Sequence, residues 1–280
     1  DNDAGATPLA ELRRLQTDKH NAERLFEYIG GEDLNTDPRQ RSGRYIIDFG
    51  ELPEIEARKW PDLFAIVEAR VKPARAAVTQ RDRRELWWLH ATRSPETRHY
   101  LKDQGRCLAI GQVSTHFAFS FVSSGCVLSH SVVLVLLSAW ESFALVQSRI
   151  HESWARFIGT SMKDDLRYVT ECFDTFPSVD PGANVAGVGQ IYYEFRAALM
   201  VKNNEGLTKT YNRFHEPAEG SPDIIKLRNL HAEVDRSVLD AYGWTDIKPV
   251  YDFRVQLDES TRFTWADDTR DEVLARLLEL

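Results

Sequence analysis

Apolar residues recur at helical spacing in the middle of the chain, from Phe143 through Ile150 to Phe157 in steps of three and four. Residues at this spacing share one face, so the pattern predicts a single amphipathic helix that begins near Trp140. Gly159 is expected to end this helix in a left-handed conformation. Further helices are predicted over residues 9–29, 60–72, 75–85, 190–201, 223–242 and 272–280.

Shorter apolar runs predict strands. RYIIDF at residues 44–49 is one, and RCLAIGQVS, HFAFSFV and GCVLSHSVVLVLL within residues 106–137 predict an antiparallel meander. These elements predict an α+β fold, in which an antiparallel β-sheet is flanked by helices and followed by a C-terminal helical region. We expect three segments, namely an N-terminal linking helix (1–29), a sheet domain (30–180), and a helical segment with an acidic tail (181–280).

Charge is distributed unevenly along the chain. The net charge is −8, but residues 70–106 contain ten cations and four acids, so this window carries +6. The binding of a protein to nucleic acid depends more on local clusters of Lys and Arg than on the total charge of the chain. The candidate phosphate contacts are Arg83, Arg84, Arg106, Lys163 and Arg167. A solvated helix face is the alternative explanation for the cluster.

Composition sets broad limits. A chain of 280 residues with 42% hydrophobic residues can bury a core in one large or two small domains. Three widely spaced cysteines favour a reducing, cytoplasmic compartment. The apolar run over residues 127–137 is interrupted by polar residues and is too short to cross a membrane, so we expect no membrane partner. The polar opening DNDAGATPLAELRR is unlike a signal peptide and lacks Met, which favours a piece of a longer polypeptide.

Polar side chains at the ends of the predicted strands are candidate base-reading groups. They are Gln112, Ser114, Thr115, His116, Ser129 and His130. Such groups can donate and accept hydrogen bonds at base edges in the major groove of DNA. Turn formation by Ser and Thr, and a structural role for a histidine among apolar residues, are the alternatives. The pair Trp87-Trp88 is predicted to be core rather than a stacking platform for bases.

Catalytic and metal-binding motifs are not recognisable in the sequence. Asp62 and Glu68 lie on one predicted helix, whereas metal-dependent nucleases gather carboxylates around a shared cation. His151-Glu152 begins like a zinc-binding helix, but Ala155 occupies the place of the second histidine. We therefore predict no catalytic residue, no metal site and no cofactor for this chain.

Six strings occur in a defined order along the chain. They are YIGGEDLNTDPRQRSGRYIIDF (28–49), WPDLFAIVEARVKP (60–73), VQSRIHESWARF (146–157), SMKDDLRY (161–168), CFDTFP (172–177) and YYEFRAALMVKNNEGLTKTYNRFHEP (192–217). Together they resemble the C-terminal specificity region of MmeI-type enzymes, single-chain restriction–modification proteins that join a nuclease, an adenine methyltransferase and a DNA target-recognition domain. After Phe176-Pro177 the chain departs from the family pattern, because the second proline of that motif is displaced.

The resemblance implies a role for each segment. Residues 1–29 would lead from a methyltransferase core of the same polypeptide, residues 30–180 would form the target-recognition domain, and residues 181–280 a helical spacer. The implied function is sequence-specific recognition of double-stranded DNA for a type II restriction–modification, or related phage-defence, adenine-specific methyltransferase. S-adenosylmethionine, with Mg²⁺ as a second candidate, would serve the parent enzyme, since neither a glycine-bearing S-adenosylmethionine loop nor an Asn/Asp-Pro-Pro-aromatic motif occurs in this sequence.

Two other functions stay open at this point. The acidic surface and paired helices would also suit an interaction module that docks a defence-system methyltransferase onto a partner subunit. A complete enzyme with an unrecognised site is the third interpretation.

Overall fold

The computed structural model describes residues 7–90, 94–162, 165–256 and 259–280. The helices among these residues are α1 (Leu9–Gln16), α2 (Lys19–Ala22), α3 (Gly31–Thr36), α4 (Glu54–Ala57), α5 (Pro61–Ala76), α6 (Arg81–Glu85), α7 (Pro95–Gln104), α8 (Trp140–Gln147), α9 (Arg149–Ile158), α10 (Glu171–Asp174), α11 (Ala183–Asn203), α12 (Leu207–His215), α13 (Pro222–Ala241) and α14 (Asp267–Leu278). The strands are β1 (Leu25–Ile29), β2 (Tyr45–Ile47), β3 (Arg106–Gly111), β4 (Val113–Ser114), β5 (Ser120–Ser123), β6 (Cys126–Leu128), β7 (Val132–Val135), β8 (Thr160–Met162), β9 (Asp165–Arg167), β10 (Tyr251–Val255) and β11 (Thr261–Trp265). Small antiparallel sheets flanked by helices, with the long helices α11 and α13 after them, confirm the predicted α+β class.

The chain divides into two compact units. The first unit takes its residues from Asp1–Tyr28, Ser42–Tyr100 and Ser124–Val127, and the second from Ile29–Arg41, Leu101–Ser123 and Leu128–Leu280. Each unit thus combines segments that are distant in sequence. The three segments expected from the sequence (1–29, 30–180 and 181–280) divide the chain by function rather than by compactness, and they stay a prediction.

Helix α5 organises the hydrophobic core of the first unit. It begins at Pro61, a residue suited to a first helical position because its missing N–H would have no intrahelical partner there. Trp87 is buried and packs edge-on against Phe64 of α5, with ring centroids 5.3 Å apart. The indole of Trp88 donates to the Leu52 carbonyl at 2.9 Å. The interpretation of the tryptophan pair as core is confirmed.

Two helix predictions in the N-terminal part of the chain are wrong in extent. Residues 25–29 form strand β1, which pairs antiparallel with β2 so that Leu25 lies opposite Ile47. The aromatic and aliphatic residues of this segment suit a helix end or a strand, and a pairing partner twenty residues away decides between them. Helix α5 runs past Pro73 to Ala76, and helical structure resumes only at α6, so the predicted helix over 75–85 is interrupted.

Strand β3 lies at the centre of the principal sheet of the second unit. The strand order is β5-β3-β7, and Leu108 of β3 lies opposite Phe121 on one side and Val135 on the other. The predicted meander is therefore wrong in its order, because β6 belongs to a separate sheet of order β2-β1-β6. Strand β4 is an edge strand of a third sheet, of order β4-β9-β8.

The predicted helix near Trp140 is in fact two helices, α8 and α9, which meet at Ser148. Ser148 has extended backbone angles (φ −66°, ψ 157°), and its side chain accepts a hydrogen bond from the His151 N–H at the start of α9. Asp235 fixes the break from outside, because its Oδ1 accepts from the Arg149 N–H at 2.8 Å. The spacing of apolar residues alone therefore predicted one helix, because it does not show that Ser148 ends α8 and caps α9.

The end of α9 also differs from the prediction. Gly159 has φ −69°, so it is not left-handed. Glycine is required there for another reason, since a Cβ atom would lie 2.6 Å from the Ala155 carbonyl oxygen. Phe157, which the helical pattern places on the buried face, is 55% exposed.

A buried polar centre holds the second unit together where α11 packs against α8. Arg196 of α11 is 1% exposed and donates to the Phe119 carbonyl at 2.5 Å, to Tyr211 Oη at 3.0 Å and to Gln147 Oε1 at 3.2 Å. Gln147 of α8 also accepts from the Phe119 N–H at 2.9 Å and donates to the Phe117 carbonyl at 3.2 Å. These bonds satisfy the Phe119 N–H and the carbonyls of Phe117 and Phe119. Residues 117–119 form no strand, although their apolar alternation predicted one.

The C-terminal region contains more structure than the sequence predicted. Helix α11 begins at Ala183, seven residues before its predicted start at residue 190, whereas α13 lies within one residue of its prediction. The hairpin of β10 and β11, in which Tyr251 lies opposite Trp265, was missed. Helix α14 covers most of the predicted final helix.

Candidate nucleic-acid interface

A cleft of about 320 Å³ lies in the second unit, beside edge strand β4. Helix α3, the β3–β4 segment and strand β9 form most of its wall. The lining residues are Gly31, Glu32, Asn35, Thr36, Gln112, Val113, Ser114, Thr115, Ser131, Asp165 and Thr208. Amides, hydroxyls and carboxylates therefore converge on one concave site, as they do where a protein recognises a polar ligand.

Gly111 allows the two main walls of the cleft to approach each other closely. A Cβ atom at Gly111 would lie 2.8 Å from Nδ2 of Asn35 on α3, so a larger residue would displace this amide. The next residue, Gln112, uses both backbone groups: its N–H donates to the Ser131 carbonyl at 2.8 Å, and its carbonyl accepts from the Tyr168 N–H at 2.8 Å. The backbone at the base of the cleft is thus fixed before any ligand arrives.

Three of the predicted base-reading residues line this cleft together. Gln112 is half-buried, and Thr115 is exposed at the rim. Ser114 Oγ donates to the His116 carbonyl at 2.9 Å, which is the turn chemistry that the sequence left open for this residue. The structure therefore brings Gln112, Ser114 and Thr115 into one site, with the Ser114 hydroxyl engaged in shaping the turn.

His116 follows these residues but is buried, with 7% of its surface exposed. Its Nε2–H donates to Asn212 Oδ1 at 2.6 Å, and its ring stacks on those of His215 and Tyr211 at centroid distances of 5.2 and 5.8 Å. Burial lowers the pKa of His116 to about 4, so the imidazole is neutral at pH 7. This placement suits support of the neighbouring segment rather than contact with a base.

The last two candidates of the predicted meander lie between β6 and β7. Ser129 Oγ lies 2.5 Å from the hydroxyl of Ser131, a residue of the cleft wall, and the Ser129 N–H donates to the Ile29 carbonyl. His130 is exposed in the turn before β7. Ser129 therefore contacts a residue of the cleft wall without lining the cleft itself, and His130 is exposed to solvent.

The candidate cations lie in different environments. Arg167 is exposed on β9, where it pairs with Val113 of the cleft wall. The guanidinium of Arg106 stacks on the rings of Phe121 and Trp140 at 3.8 and 4.2 Å, and its Nε–H donates to the Ser138 carbonyl. Partial burial also lowers the pKa of Arg106. Arg106 is thus engaged in packing, whereas Arg167 is presented beside the cleft.

The remaining candidates do not lie in this unit or lie outside the described residues. Arg83 and Arg84 are exposed on α6 of the first unit, and Arg84 donates to the Val78 and Thr79 carbonyls at 2.8 and 2.7 Å. Lys163 lies outside the described residues. Elsewhere in the basic window Arg98 pairs with the buried Asp48 at 2.6 Å, so this cation already has a partner within the protein.

Sequence reasoning singled out three of the cleft residues and missed the others. Glu32 and Asn35 belong to α3, a helix that the sequence analysis did not predict. The available signal was Asp33, which accepts from the Gly30 N–H at 2.7 Å and marks the start of a helix. Asp165 joins the cleft only because β9 pairs with β4, and residue spacing does not reveal such a pairing.

Other kinds of site have little support in the part of the chain that the structure describes. In these ranges no group of His, Cys, Asp and Glu side chains is arranged to hold a metal ion, and no helix combines the length and apolar character needed to span a membrane. The described cysteines, Cys107, Cys126 and Cys172, are buried and form no disulfide. His151 is buried, with its ring nitrogens 2.9 and 3.3 Å from the Val146 and Cys172 carbonyls, so it is a structural residue.

The fold and the cleft define an α+β module that presents hydrogen-bonding side chains beside an edge strand. Residues 3–180 match the family model described as the MmeI target recognition domain, and the chain belongs to this family. The resemblance seen in the sequence is thereby confirmed.

Among solved structures, the fold is similar to that of the type IIL restriction–modification enzyme MmeI in complex with DNA. The TM-score is 0.65 at 18% sequence identity, and the similarity covers 98% of this chain and 33% of that one. The chain therefore spans about a third of the length of that enzyme. A comparison with curated protein sequences found no match.

Proposed function

We propose that this chain is the double-stranded DNA recognition segment of a type IIL restriction–modification enzyme that methylates adenine, with the catalytic domain elsewhere in the parent polypeptide. Membership of the target-recognition family and the likeness to an enzyme solved with DNA support the proposal. A role in phage defence, a cytoplasmic location and S-adenosylmethionine as the cofactor of the parent enzyme are parts of the same proposal.

The observation that carries the proposal is the convergence of donors and acceptors on the cleft beside β4. An amide such as that of Gln112 can bind adenine at N6 and N7 together, and the carboxylates of Glu32 and Asp165 can accept from the amino group of cytosine or adenine. A cleft of about 320 Å³ accommodates base edges but not a duplex. The rim formed by β4 and Thr115 would therefore enter the major groove, which admits a protein strand or ribbon.

Cations at the periphery would fix the register of the segment on the duplex without reading sequence. Arg167 is the best placed, because it is exposed on β9 next to the cleft. Arg83, Arg84 and Lys163 are further phosphate contacts in this proposal. Arg106 and His116 are assigned supporting roles because packing and burial engage their side chains.

The experiment compares binding of the wild type and side-chain variants to a duplex selected from a randomised library and to its single-base substitutions. Gln112→Ala and Asp165→Asn should each relax discrimination at one position, at a cost of about 1–3 kcal/mol for the preferred duplex. Gln190→Ala is a matched control, because Gln190 is a half-buried glutamine on α11 that pairs with Glu194 instead of lining the cleft.

Two results would count against the proposal. One is equal weakening of binding to all duplexes by Gln112→Ala and Asp165→Asn, which would remove these residues from base recognition. The other is salt-independent binding of a protein partner with no enrichment of any duplex sequence, which would favour an interaction module, since DNA binding through phosphates weakens steeply with salt.

A further inference from the structure

Two residues from the C-terminal part of the chain reach the recognition segment at adjacent positions. Arg262 of β11 donates from Nη2 to the Thr115 carbonyl at 2.9 Å, across 147 positions of sequence. Asn212 of α12 accepts from His116 Nε2–H at 2.6 Å, across 96 positions. Thr115 is exposed at the cleft, so these contacts fix the backbone carbonyl of a rim residue and the ring of the residue that follows it.

The elements that carry these two residues are anchored in the second unit, although Asn212 itself is exposed. Arg262 is 7% exposed, and its neighbour Phe263 donates its N–H to His215 Nδ1 at 3.0 Å and accepts from Arg149 Nη2 at 2.6 Å. Asn212 lies one residue from Tyr211, whose ring stacks on His116 and whose hydroxyl accepts from Arg196. The contacts thus connect the cleft rim to the buried polar groups of the second unit.

Such anchoring matters for readout because hydrogen bonds to base edges depend on distance and direction. A bond weakens steeply when its angle falls towards 120°, so a shift of about 1 Å in the segment that carries Gln112 and Thr115 is enough to lose discrimination. The rim has little other regular structure, because β4 contains only Val113 and Ser114. Partly buried contacts from β11 and α12 supply the rigidity that so short a strand lacks.

We propose that Arg262 and Asn212 are positioning residues for DNA sequence discrimination, so that the chain beyond residue 180 takes part in specificity and is more than a spacer. The inference rests on the proposed function of the cleft. Neither residue lines that cleft, so their effect on base recognition would act through Thr115 and His116.

The test measures base discrimination by the full chain on a duplex selected from a randomised library, its single-base substitutions and an unrelated duplex. Asn212→Leu and Arg262→Met should reduce discrimination roughly tenfold at the positions read by the rim, which is in the range of one bidentate base contact. Affinity for the unrelated duplex and its salt dependence should stay unchanged, because phosphate contacts are untouched. A residue that only stabilised the fold would weaken both duplexes alike.

Arg262→Lys is the second variant, since Arg262→Met also removes positive charge near the partly buried Glu152. Burial opposes ionisation of Glu152, but Arg156, Arg149 and Arg262 lower its pKa to about 2. Lysine keeps the charge but not the planar fork, so discrimination should be intermediate. Arg270→Met is the matched control. Arg270, like Arg262, lines a neighbouring cavity of about 400 Å³, but its side chain is 42% exposed and pairs with Asp267 and Asp271.

The outcomes separate the two proposals. If Gln112→Ala leaves discrimination unchanged, the proposed function of the cleft fails whatever the other variants do. If Gln112→Ala lowers discrimination but folded Asn212→Leu and Arg262→Lys both retain it, only the positioning role is overturned. Uniform weakening on all duplexes by these two variants overturns it as well.

Discussion

Replacement of Arg196 by methionine is expected to destabilise the second unit by about 2–4 kcal/mol. A hydrogen bond from a charged donor contributes about 1.5–3 kcal/mol, and Arg196 donates to the carbonyl of Phe119, to Tyr211 and to Gln147. The loss is smaller than the sum, because Gln147 still accepts from the Phe119 N–H and Tyr211 still bonds Tyr192. Only the Phe119 carbonyl loses its donor, and removal of a buried charge returns part of the desolvation cost.

Chemical denaturation of the full chain, followed by far-ultraviolet circular dichroism, measures this effect. In a thermal denaturation with the same signal, a loss of about 3 kcal/mol in stability corresponds to a fall of about 6–12 °C in melting temperature for a unit of this size. Arg81→Met is the control, because Arg81 is exposed in the first unit and its 2.7 Å pair with Glu85 should contribute less than about 1 kcal/mol. If Arg196→Met unfolds within about 1 kcal/mol of the wild type, the buried contacts of Arg196 do not stabilise this unit.

Three further predictions follow from other parts of the chain. Stability should fall as pH decreases from about 6.5 to about 4, because burial holds the pKa of His116 and His151 near 4 in the folded state, so protonation favours the unfolded state in that window and has no effect above it. Ser148→Ala should cost about 1–2 kcal/mol in denaturation, because it removes the cap of α9. Arg167→Gln should weaken binding to all duplexes equally and reduce the salt slope by about one, as measured by DNA binding at several salt concentrations.

Controls for these predictions come from the same chain. A stability that is independent of pH between 4 and 6.5 would contradict the burial of neutral histidines. Thr17→Ala, on the exposed end of α1, should cost less than Ser148→Ala. A loss of discrimination at a single base in Arg167→Gln would assign Arg167 to base readout instead of phosphate contact.

Local patterns predicted the helices well where burial and capping agree with spacing. Helix α13 follows its apolar spacing from Pro222 almost residue for residue. The consecutive helices α8 and α9 were predicted as a single helix. Ser148 separates them by capping α9, and Asp235, from a distant part of the chain, supports this cap. Strand β1 was predicted as helix for a related reason, since only its pairing with β2 selects the extended form.

The candidate site was predicted in part. Spacing and polarity singled out Gln112 and Thr115, which lie together at the cleft. The burial of His116 was not foreseen, because its partner Asn212 is 96 positions away and belongs to a different helix. The hairpin that carries Arg262 shows aromatic residues at alternate positions, and this strand signal was hidden by the acidic composition of the tail.

Amide hydrogen exchange of the full chain, with and without a duplex selected from a randomised library, tests the central claim most directly. The proposal that the cleft reads DNA predicts that protection on binding is concentrated in α3, in residues 112–115 and in β9. Protection confined to other surfaces, such as that of the acidic helix α14, with unchanged exchange at the cleft would contradict it.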